Sequence, residues 1–191
     1  MQKSRNSLLF RLFDTIRGKG EMGMEQIDVF DREDRPTGRT ATKKTPLSPD
    51  EYRRITELWV RTPDGRYLIQ QRSANKHYYP LMWYCTVSGS QNAGESPMDT
   101  ALREAKEELG FHLQPQKAHF YQRITDDGIH FHVYLFLQEV DTEALVLEPM
   151  EVAAVDLATD EVIFQMIDEG RFISLPYYAD FFAWAERIAS D

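Results

Sequence analysis

Between Gly89 and Phe111 the chain reads GSQNAGESPMDTALREAKEELGF, and the middle of that segment fits a single structure, a capped amphipathic helix. Ser96 can cap it, Pro97 suits the first helical position, Asp99 completes a variant capping box, and Gly110 offers a left-handed stop. Met98, Ala101, Leu102, Ala105 and Leu109 recur at helical spacing, so one face packs inward. The other face carries Glu104, Glu107 and Glu108 at i, i+3 and i+4, just after Arg103. Like charges at that spacing repel one another and cost stability unless a cation neutralises them. The plain reading of such a run is a solvated acidic face. The chemical reading is a site for a hard divalent cation, which takes a few carboxylates, several waters and the phosphates of a substrate.

The spacing of the whole segment favours the chemical reading. Gly89, Glu95, Arg103, Glu104, Ala105, Glu107, Glu108, Gly110 and Phe111 stand in one register: a Gly, five residues, a Glu, seven residues, Arg-Glu, an apolar residue, any residue, Glu-Glu, any residue, Gly and an apolar residue. So many spaced positions are far more specific than a short motif. The segment resembles the Nudix box. That resemblance implies a loop, helix and loop holding Mg²⁺ or Mn²⁺, with Glu104, Glu107 and Glu108 as ligands and one of them a candidate general base. It also implies that the carbonyl of Ser88 is a further ligand, that Glu95 and Arg103 form the scaffold pair of the catalytic constellation, and that Gly89 and Gly110 serve structure. The implied fold is an α/β (α+β) alpha-beta-alpha sandwich with a mixed sheet, and the implied reaction is cleavage of a diphosphate linkage. Several carboxylates with no activated Ser or Cys nearby argue for direct attack by water.

Upstream, WVRTPDGRYLIQQRSANKHYYPLMWYCTVSG resembles the branch of this superfamily close to isopentenyl-diphosphate isomerase. The departures are chemical. Ser88 stands where those isomerases carry a Cys, Ser90 where a His would follow, and no His precedes His77; His130 and His132 replace the later acid pair. Cys85 lies three residues from the required position and reads as a small buried residue. Hydrolysis is therefore favoured over isomerisation. A catalytically silent nucleotide sensor is expected to have lost an acid of the box, and here all four remain.

Other polar residues have two readings each. Arg72 and Lys76 can meet phosphates or lie on the surface. Tyr79, with Tyr78, Trp83 and Phe131, can stack on a base or build core. His130 and His132, two apart on a predicted strand, point to one side and either touch substrate or metal or serve structure. Glu148 and Glu151 are candidates for a late carboxylate. Tyr177, Tyr178, Phe181, Phe182 and Trp184 suit a packing helix or a homodimer contact.

Composition sets the frame. With 191 residues, 42% of them hydrophobic, the chain can bury one substantial core. Its single Cys85 and the lack of a long apolar run point to the cytoplasm and no membrane span. A formal charge of −9 argues against a nucleic-acid polymer as partner and leaves a small-molecule diphosphate, whose phosphates a metal can meet. Residues 1–23 carry +3, which leaves −12 for the remainder. Leu8, Leu9, Leu12, Phe13 and Ile16 can form a short amphipathic face, but the favoured reading is a start-site artefact, with the true start at Met24 and one domain over 24–191. Within that domain, strands are predicted at 26–30, 57–60, 67–71, 84–88, 119–125 and 129–137, a hairpin turn at Asp64-Gly65, and further helices at 160–169 and 178–189.

Overall fold

A computed structural model describes residues 25–190; the expectations for residues 1–23 and for a start at Met24 lie outside the described residues. Strands β1 (Gln26–Phe30) and β2 (Pro36–Thr42) form an antiparallel hairpin of their own. The main sheet holds β3 (Arg53–Arg61), β4 (Tyr67–Arg72), β5 (Trp83–Tyr84), β6 (Val87–Ser90), β7 (Ala118–Asp126), β8 (Ile129–Leu137) and β9 (Val152–Ala158). Strand β3 runs parallel to β8 and antiparallel to β4 and β6, so the sheet is mixed as expected.

Strand β3 is the centre, buried without interruption from Ile55 to Arg61 even though Thr56 and Glu57 break its apolar run. Alternation sends Ile55 and Trp59 into one core and Leu58 and Val60 into the other. The second core takes Ala101, Ala105 and Leu109 from helix α1 (Pro97–Leu109). The first is covered by α2 (Asp160–Asp168) and α3 (Tyr178–Ser190). There the Trp59 indole meets Tyr178, Phe181 and Phe182 with ring centroids 5.3, 5.4 and 5.3 Å away, so the terminal aromatic set builds core. Among the described residues, α-helices thus lie on both faces of the sheet, with α1 on one and α2 and α3 on the other.

The signals read for α1 are all present. Asp99 N–H donates to Ser96 Oγ at 3.1 Å and Ser96 N–H to Asp99 Oδ2 at 2.9 Å, the reciprocal capping box. Gly110 ends the helix at φ 63°, and a Cβ there would come within 3.0 Å of Val146 Cβ.

Two features differ from expectation. The strand predicted over 84–88 is split into β5 on β4 and β6 on β3. Thr86 causes the break: its hydroxyl donates to Leu68 O at 2.5 Å and accepts from Val60 N–H at 2.8 Å, taking a place that backbone would otherwise fill. Strands β2 and β9 carry no sequence signal of the usual kind, since PTGRTAT and VAAVDLA lack alternating large apolar residues.

Candidate active site

Helix α1 lies against β6 because Gly89 has no side chain. A Cβ at that position would stand 2.1 Å from Glu104 Cδ, so the Glu104 side chain rests directly on the strand backbone. Glu104 and Glu108, one turn apart, are both buried, while Glu107 between them is largely exposed.

Arg103 organises the N-terminal half of the site. Its Nε and Nη2 bind the two oxygens of Glu95 at 2.7 and 3.0 Å, and Nη2 also donates to Ser90 O at 3.0 Å. Its Nη1 reaches Glu104 at 2.7 Å and Glu107 at 3.2 Å. Glu95 further accepts from Asn92 N–H and Thr100 Oγ. Burial alone would raise its carboxyl, but the hydrogen bonds and charge of Arg103, together with the hydrogen bonds from Asn92 and Thr100, outweigh that and hold it at about 2. The two residues the sequence paired are thus a bidentate clamp between loop and helix.

The C-terminal half is different. Burial, reinforced by repulsion from Glu104, pushes Glu108 up to about 8. Its carboxylate accepts from Gln70 Nε2 at 3.2 Å, and among the described residues no Lys or Arg forms an ion pair with it. Burial likewise raises Glu104, against the pull of Arg103 and of Lys43 on the loop after β2. Two buried carboxylates that repel, one without a cationic partner, are a donor set suited to a hard cation. Among the described residues no three acidic, His or Cys side chains already converge as a metal cage. Glu107 is largely exposed and shares Arg103 Nη1 with Glu104. Mg²⁺ takes few protein carboxylates and completes its shell with waters and substrate phosphates.

The other sequence candidates are scattered. Arg72 lies on the same strand face as Gln70, near Glu108, and its guanidinium donates to Tyr78 O at 3.2 and 3.1 Å. Lys76 pairs with Glu151. Tyr79, at φ 51°, packs against the core beneath α2 and α3. His130 is buried against Tyr52, with ring centroids 4.5 Å apart. Its Nε2 lies 2.8 Å from Asp31 O and must donate to that carbonyl, which leaves Nδ1 to accept from Thr125 Oγ at 2.8 Å. His132 Nε2 meets Asp34 Oδ2 at 2.9 Å, and Arg54 Nε meets Asp34 Oδ1 at 2.7 Å. Both histidines therefore share a side, as their spacing requires, and both clamp the β1–β2 hairpin. The Ser88 carbonyl belongs to β6 beside Gly89, and its Oγ is buried without a partner.

Sequence reasoning passed over Gln70, Lys43 and Glu57. Gln70 stands two residues before Arg72, so strand alternation was enough to place both on one face. Glu57 is fully buried beneath the opposite face, where it accepts from Tyr84 OH at 2.6 Å, Trp59 Nε1 at 3.3 Å and Tyr177 OH.

The family model described as NUDIX domain matches residues 51–181, from the start of the central strand into the last helix. The chain belongs to the Nudix family. An uncharacterised Nudix hydrolase of Listeria monocytogenes is 30% identical over 158 residues, covering 81% of this chain and 90% of that one. One from Streptomyces coelicolor is 36% identical over 104 residues, covering 54% of this chain and only 57% of its own length. Isopentenyl-diphosphate Delta-isomerase of Salmonella heidelberg is 30% identical over 113 residues, 55% of this chain and 60% of the isomerase, which agrees with the branch that the upstream segment resembles. The crystal structure of DR0079 from Deinococcus radiodurans superposes with a TM-score of 0.67 at 19% identity over 83% of this chain and 98% of that one, so the two share a fold. Among the described residues no helix is long and apolar enough to cross a membrane.

Proposed function

We propose that this Nudix protein is a metal-dependent hydrolase that cleaves the diphosphate linkage of a small molecule, a nucleoside diphosphate derivative or a close analogue, in the cytoplasm. The observation that carries the reading is the buried Glu104–Glu108 pair, of which only Glu104 has a guanidinium partner. Glu104, Glu107, Glu108 and the Ser88 carbonyl would hold Mg²⁺ or Mn²⁺. The cation would supply charge neutralisation at the phosphates and an acidified water. The chain's own groups do the positioning. Arg103 and Glu95 fix the loop against the helix; Gly89 lets Glu104 lie on β6; Arg72, near Glu108, faces a phosphate. The engagement of His130 and His132 with Asp31 and Asp34, and of Tyr79 with the core, supports structural roles for these three. We read residues 24–191 as one domain.

The isomerase alternative is not favoured: no thiol stands at Ser88, and burial raises the Cys85 thiol well above its ordinary range. The test is hydrolysis over nucleoside di- and triphosphates, nucleotide sugars, dinucleotides and isopentenyl diphosphate with Mg²⁺ or Mn²⁺, beside Glu107→Gln and Glu108→Gln. Metal-dependent turnover lost in both variants is the expected result. Nucleotide binding without turnover would replace this reading with a sensor, and an isomerised product would restore the isomerase.

A further inference from the structure

Gln70 is 4% exposed and projects from β4 toward α1, yet only one end of its amide is used. Nε2 donates to Glu108 Oε2, while Oε1 is buried with no hydrogen-bond partner. A buried acceptor without a donor costs on the order of 1–3 kcal/mol. Rotating the amide by half a turn does not help, because it would leave the NH₂ group buried without an acceptor. Among the described residues no group donates to Oε1: Arg72 gives Nε and Nη2 to the Tyr78 carbonyl, and Lys76 pairs with Glu151. A donor that arrives with what the site binds would complete it. A hydrated divalent cation brings such donors, since it keeps several waters whose hydrogens point away from the metal.

We propose that Gln70 is a positioning residue for the metal site. Its N–H fixes the rotamer of Glu108, and its Oε1 accepts from a water in the coordination sphere of the cation that Glu108 binds. This rests on the reading of Glu108 as a ligand, and the experiment separates the two. Mn²⁺ binding to the full chain is titrated by electron paramagnetic resonance, and melting is measured in EDTA. Gln70→Met keeps the side-chain length and removes both hydrogen-bonding ends; Gln70→Asn keeps the amide but withdraws it by one methylene.

Both variants should bind Mn²⁺ about 10–100-fold more weakly than wild type, the loss expected when a group orienting a ligand is removed. Gln70→Met should melt in EDTA close to wild type, because removing the unpartnered acceptor offsets the hydrogen bond lost at Glu108. A purely structural glutamine gives the reverse, a lower melting temperature with unchanged Mn²⁺ affinity, and overturns the proposal. Wild-type Mn²⁺ affinity in Gln70→Asn overturns it as well, while a loss in Glu108→Gln leaves the metal site standing. Equal affinity of wild type and Glu108→Gln would remove the metal site itself, and this role with it.

Discussion

Gly89→Ala tests whether the site needs Glu104 to lie on the backbone of β6. The added Cβ would stand 2.1 Å from Cδ, 2.2 Å from Oε1 and 2.3 Å from Cγ of Glu104, whereas carbon atoms meet comfortably at roughly 3.5–4.0 Å. Gly89 does not occupy the left-handed region, so the whole effect comes from this overlap. Either β6 moves off β3, where Gly89 is paired with Thr56, or Glu104 leaves its buried place and its 2.7 Å contact with Arg103. The second is the smaller disturbance. Overpacking costs about 1–3 kcal/mol. The lost charged hydrogen bond is partly offset by returning a buried carboxylate to water, so the net is on the order of 2 kcal/mol. At roughly 2–4 °C per kcal/mol for a chain of this size, melting in EDTA should fall by about 4–8 °C. Because a ligand is displaced, Mn²⁺ affinity should fall at least about tenfold. Circular dichroism melts and a Mn²⁺ titration measure both. Wild-type values in both assays would refute the argument that this glycine exists to seat Glu104.

Two further outcomes follow from charges on either side of the sheet. Arg103→Met leaves Glu95 and Glu104 partly buried without their cation, a loss of about 3 kcal/mol. Mg²⁺ should then raise the melting temperature of the variant more than that of wild type, and equal increments would show that Arg103 does not stand in for a cation. On the far side, burial raises Glu57 to about 7 from an ordinary 4.5. The fold therefore favours the protonated acid, and the stability it contributes is present below 4.5 and lost as pH climbs through 7. The upper bound on that loss is about 3 kcal/mol. Glu57→Gln should flatten the decline of melting temperature between pH 5 and pH 8, and parallel curves for variant and wild type would rule the carboxyl out as its source.

Helix α1 and the shared face of its acids were legible because their causes are local. Ser96 and Asp99 cap each other across three residues, Gly110 stops the helix where it stands, and Glu104, Glu107 and Glu108 share a face by the geometry of one turn. The mixed sheet with helices on both faces was likewise foreseen, since apolar strand runs alternating with helical periods leave few other ways to bury both kinds of element.

The helix, its caps, the acidic face and the membership of the family therefore follow from the order of the residues alone. Tertiary structure decided which carboxylate has a counter-charge and which has none. The two histidines share a side by their spacing, yet their partners Asp31 and Asp34 lie 99 and 98 residues away, and strand alternation says nothing of a hairpin folded over that face. Thr86 splits a predicted strand because its hydroxyl meets β3 and β4 together. Gln70 meets Glu108 across 38 residues and two elements. Hydrogen bonds and Coulomb forces act over a few ångströms of space, whereas periodicity reports only the few residues on either side along the chain.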